Sequence, residues 1–74
     1  MSPLMLRQLW SLVETTQSNI LLNLDDPSLV QWLLGQLKNQ RSLDHEETAI
    51  FGTYIRSRLP LIRDLARSRL VVHS

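Results

Sequence analysis

The sequence predicts an all-α fold, a compact three-helix bundle that associates with itself. Three observations predict it. Apolar residues recur at intervals of three and four in three segments, each segment opens on helix-starting residues, and only short polar stretches join them. The chain of 74 residues is read as one domain, residues 1–74, with helices over 3–23, 27–39 and 45–70.

The first segment begins at Ser2-Pro3, where serine suits the N-cap and proline the first helical position. At 100° per residue Leu6, Leu9, Val13, Ile20 and Leu24 fall in a narrow arc, with Trp10 and Leu21 on its flank. Arg7, Ser11, Glu14, Thr15 and Ser18 take the opposite side, so an amphipathic helix running to about Asn23 is expected.

Asp25-Asp26-Pro27 ends that helix and starts the next, with Asp26 at the N-cap and Pro27 following. Leu29, Val30, Leu33, Leu34 and Leu37 form the apolar face of this second helix, with Trp32 beside it. Gly35 falls on the polar side, where it either admits a close neighbour or costs helix stability.

Before the third segment, Asp44 and Glu47 stand at the spacing of a capping box, and Asp44, Glu46 and Glu47 suit the positive end of a helix dipole. Phe51, Tyr54, Ile55, Ile62 and Leu65 make its apolar face. Pro60 interrupts the run but leaves the face in phase, which favours one kinked helix over two. Residues 71–74 read as a fraying end.

Composition narrows the function. With no cysteine, disulfides, zinc–thiolate sites and thiol nucleophiles are excluded. His45 and His73 have no second ligand at helical spacing, so no metal and no cofactor are expected. Both acidic pairs, Asp25-Asp26 and Glu46-Glu47, are accounted for by helix starts, and the two glycines are isolated, which leaves no phosphate loop. An enzyme is therefore not expected. The longest apolar run is too short for a membrane span, and no signal-peptide core is visible, which places the expected compartment in the cytoplasm.

What remains is binding. So short a chain sits near the lower limit for a self-sufficient core, so association with another chain is the natural route to stability. The leading expectation is a protein–protein interaction or regulatory adaptor module, in its simplest form a homodimer. Trp10 and Trp32, at the flanks of their apolar faces, are candidate interface anchors. Arg58 is a third partner-binding candidate. It falls within the apolar arc of the third helix, so it either reaches outward or pairs with an acid of another helix or subunit.

The alternative is nucleic-acid or other polyanion binding. The net charge of +1 divides into −2 over residues 1–37 and +3 over residues 38–74. Arg56, Arg63 and Arg67 lie within about 40° of one another on one helix face and span roughly 17 Å. A helix-turn-helix mode is disfavoured, because the turn that would enter the groove is Asp44-His45-Glu46-Glu47.

Three runs, Leu6-Arg-Gln-Leu-Trp10-Ser-Leu-Val-Glu-Thr-Thr-Gln17, Asp25-Asp-Pro-Ser-Leu-Val-Gln-Trp32 and Tyr54-Ile-Arg-Ser-Arg-Leu-Pro-Leu-Ile-Arg-Asp-Leu-Ala66, together resemble a family of small cyanobacterial proteins. That resemblance implies a bacterial cytoplasm as the source and nothing further. The family carries no assigned activity, so it transfers no functional residue.

Overall fold

The computed structural model describes residues 2–71, with the side chain of residue 71 left aside. The end expected to fray, beyond residue 71, lies outside the described residues, as does His73. Four helices and no strand are formed among the described residues: α1 Pro3–Thr15, α2 Ser18–Asn23, α3 Asp26–Gln40 and α4 His45–Val71. α4 packs on both α2 and α3, and α3 packs on α1. The molecule measures 42 × 23 × 20 Å. Its long dimension matches α4 alone, which at 1.5 Å per residue runs about 40 Å.

The all-α class holds, but the first helix does not run from 3 to 23. It breaks at Thr16 and Gln17, both extended (ψ 138° and 140°), which makes four helices of the expected three. The run Thr15-Thr16-Gln17-Ser18-Asn19 explains the break, since β-branched and short polar residues lose χ1 freedom in a helix or bond to nearby backbone instead. Thr16 does the latter. Its hydroxyl donates to the Leu12 carbonyl at 2.7 Å while its amide donates to the Leu12 and Val13 carbonyls, closing α1. The break rotates α2 relative to α1, so that Leu21 is buried while Ile20 and Leu24 are only half-buried.

α3 starts one position earlier than the sequence suggests. Asp25, not Asp26, is the N-cap, accepting from the Ser28 amide at 3.0 Å, and this leaves the Asp26 carboxylate free for another partner. The capping box of α4 forms as spaced: the Glu47 amide donates to Asp44 Oδ1 at 2.7 Å and the Asp44 amide to Glu47 Oε1 at 3.2 Å.

α4 continues through Pro60 as one helix. Pro60 is exposed, so water can take up the Arg56 carbonyl whose helical donor it removes. The buried face of α4 is Phe51, Ile55, Leu59, Ile62 and Ala66. Tyr54 lies at its edge and Leu65 lies outside it, 41% exposed. The apolar arc expected from sequence was thus centred too far toward Tyr54 and Leu65.

With Met5, Leu9, Val13, Leu21, Leu29 and Leu33 these residues make one continuous core. The chain exposes 4876 Å². A compact monomer of 8.6 kDa exposes about 4,700 Å². This surface is that of a closed small domain, so what bears on a partner is which atoms lie on it.

Candidate interaction surface

The sequence singled out two tryptophans, and both are core rim. Trp10 and Trp32 are half-buried and pack against the core. The Trp10 indole also has an internal partner: Nε1 donates to the Tyr54 hydroxyl at 3.2 Å, and the rings meet edge to face with centroids 6.4 Å apart. Both tryptophans keep part of their surface exposed at the rim of the core.

Arg58 is outside the core as well. Leu59 takes the buried position, and the Arg58 guanidinium lies over the Tyr54 ring, 5.3 Å from its centroid. No acidic partner within the chain meets it among the described residues.

The arginine stripe is divided by the fold. Arg63 is turned inward: Nη1 donates to the Leu21 carbonyl and Nη2 to the Leu24 carbonyl, each at 3.0 Å, and Nη2 also meets Asp26 Oδ1 at 2.7 Å. It therefore closes the C-terminal end of α2, whose last carbonyls have no helical donor. Arg67 pairs with Asp64 at 2.6 Å on the surface. Of the three, only Arg56 is exposed without a partner among the described residues. Sequence reasoning passed over Arg69, which does for α1 what Arg63 does for α2, donating to the Val13 and Thr16 carbonyls at 2.9 Å each. No signal in the sequence pointed to it, because the break it closes was not foreseen.

A different surface emerges on α4. Ile50, Leu61 and Leu65 are 44%, 48% and 41% exposed. At 100° per residue Ile50, Ser57, Leu61 and Leu65 lie within an arc of about 80°, roughly 110° around the helix from the buried face. They form a second apolar stripe about 22 Å long, in which Tyr54, with Arg58 over its ring, and the polar Ser57 stand between Ile50 and Leu61. Along its N-terminal part runs an open groove of about 510 Å³, lined by Ala49, Ile50, Thr53, Tyr54 and Ser57. A second groove of about 310 Å³ shares Ile50 with it and is lined further by Ser2, Met5, Glu46, Glu47 and Phe51. Leu4, 57% exposed, stands on the same first turns of α1. The spacing 50, 57, 61, 65 is present in the sequence, but the stronger stripe through Phe51 and Ile62 masks it.

No group of three or more acidic or histidine side chains able to hold a metal is found among the described residues, and no helix there is long and apolar enough to cross a membrane. Comparison with protein-family models, with curated proteins and with solved structures gave no match.

Proposed function

We propose that this protein is an interaction module that binds another protein chain through the outer apolar face of α4. The carrying observation is the stripe of Ile50, Leu61 and Leu65, each more than 40% exposed and aligned along one face of a rigid helix. Single exposed leucines are ordinary on any surface, and what supports the reading is that three large apolar residues share one face of one helix beside an apolar-lined groove. The groove beside it, floored by Ala49 and Ile50 and bounded by Tyr54, offers room for side chains of a partner helix. Trp10 and Trp32 then act from behind, holding the core against which α4 is fixed.

Polyanion binding is the weaker reading, because Arg63 and Arg67 are already engaged by the chain's own oxygens.

The test is a photo-crosslinking residue introduced at Leu61 or, as control, at Arg56, in cells that make the protein. Protein adducts at position 61 and none at 56 are expected. Adducts at neither position, or at 56 alone, would overturn the reading.

A further inference from the structure

We propose that the partner on this face is a second copy of the chain, its α4 antiparallel to the first and related to it by a two-fold axis beside Ser57. The inference rests on the interaction reading above and names its occupant.

The stripe is self-complementary when reversed. Ile50 and Leu65 lie at its two ends, and the point midway between them falls at Ser57 and Arg58. Turning a second α4 about that point sets each Ile50 against the other copy's Leu65 and each Tyr54 near the other copy's Leu61. The small Ser57, exposed and with its hydroxyl bonded back to the Tyr54 carbonyl at 2.7 Å, sits where the helices come closest. An isologous contact of this kind closes at two copies.

The charges agree with the same arrangement. α4 is polarised along its length, with Asp44, Glu46 and Glu47 at its start, Arg56 and Arg58 near its middle, and Arg63, Arg67 and Arg69 against the single Asp64 in its later half. Within the chain only Arg63 and Arg67 of these arginines find a carboxylate, and none of the three acids at the start finds a cation, among the described residues. Antiparallel pairing brings the acidic start of each helix to the basic end of the other, and sets the helix dipoles favourably. In that register Glu47 of one copy comes beside the turn of the other copy that carries Arg69, whose guanidinium closes α1. Arg69 itself is held on the Val13 and Thr16 carbonyls, so what it offers Glu47 is its charge at a distance and not a free guanidinium fork.

The geometry also carries one unfavourable contact. Both Arg58 side chains lie beside the axis, each over its own Tyr54 ring. Their repulsion is a signature of this symmetry that no unrelated partner would share.

Sedimentation equilibrium of the purified protein, from micromolar to millimolar concentration, tests the proposal together with cysteine crosslinking on the cysteine-free background. A monomer–dimer equilibrium is expected. Leu61→Glu weakens it by about tenfold or more, Glu47→Gln by about two- to fivefold, and Arg58→Gln tightens it by about twofold. Ser57→Cys crosslinks two copies through a short bis-maleimide, and Arg56→Cys, on another face, does not. A monomer at every concentration, a dimer indifferent to Leu61→Glu, or crosslinking at Arg56→Cys in place of Ser57→Cys would overturn the second copy as occupant. If crosslinks at position 61 in cells join a chain of another mass while the pure protein stays monomeric, the interaction reading stands and this proposal falls.

Discussion

Arg63 in α4 and Asp26 in the first turn of α3 are joined by an ion pair of 2.7 Å, and on its way the Arg63 guanidinium closes the end of α2 through two carbonyls. One side chain thus holds three helices in register. The Arg63 side chain is 17% exposed and the Asp26 side chain 71%, so the worth of the contact lies in the half-sheltered carbonyl bonds more than in the ion pair. Arg63→Ala is expected to destabilise the fold by about 2 kcal/mol. Asp26→Asn should cost about 0.5 kcal/mol. Arg63→Lys should recover little, because one ammonium cannot reproduce the planar fork. Urea denaturation followed by circular dichroism measures all three. Equal losses for Arg63→Ala and Asp26→Asn would contradict this division.

Both glycines lie inside helices without a conformational need for glycine. A Cβ on Gly35 would meet nothing within 4 Å, and one on Gly52 would touch only Leu34 Cδ1 at an ordinary 3.7 Å. Gly35→Ala and Gly52→Ala should each stabilise the protein by about 0.5–1 kcal/mol, seen as a higher urea midpoint. A loss at Gly35 would mean that the outer side of α3 is covered by something the chain itself does not supply.

Trp10 and Tyr54 tie α1 to α4 through both an edge-to-face contact and the indole N–H bond. A double-mutant cycle on Trp10→Phe and Tyr54→Phe should give a coupling of about 0.5–1.5 kcal/mol. Additive effects would show that the two rings are merely neighbours.

Hydrogen bonding from Ser28, side chain first and then amide, holds the Asp25 carboxyl below its ordinary value of 3.8. Its folded pKa is depressed, so its contribution is present above the unfolded value and is lost as pH falls through the lower folded one. Stability should therefore drop as pH is taken below about 3.8, and Asp25→Asn, which keeps a capping oxygen, should flatten that part of the curve. Urea midpoints of both proteins from pH 5 down to 2 measure it. Parallel curves would place the acid sensitivity elsewhere.

Much of the fold was legible in the residues, for reasons that are local. Ser2-Pro3 and Asp44 with Glu47 announced their helix starts because caps are read from adjacent side chains. The Leu29–Leu37 face of α3 followed from a period sustained over several turns. The break at Thr16 was hidden because Val13, Ile20 and Leu24 stay nearly in phase on an unbroken helix, and apolar periodicity outweighed a polar run. The roles of Arg63 and Arg69 were out of reach for the same reason, since each caps a helix end some 40 or more positions away, an end that exists only once the break is known. The candidate surface was half legible: the Ile50–Leu65 spacing stands in the sequence, but which of two apolar stripes faces inward is decided by the packing of α2 and α3.

Whether the outer stripe of α4 meets a second copy of the chain is tested most directly by amide chemical shifts recorded across a dilution series at low and high salt. The resonances of Ile50, Ser57, Leu61 and Leu65 are expected to move together with concentration and to keep moving at high salt, as apolar association does. Shifts confined to Arg56 and Arg67 that vanish with salt, or a spectrum unchanged over the whole range, would contradict self-association through this stripe.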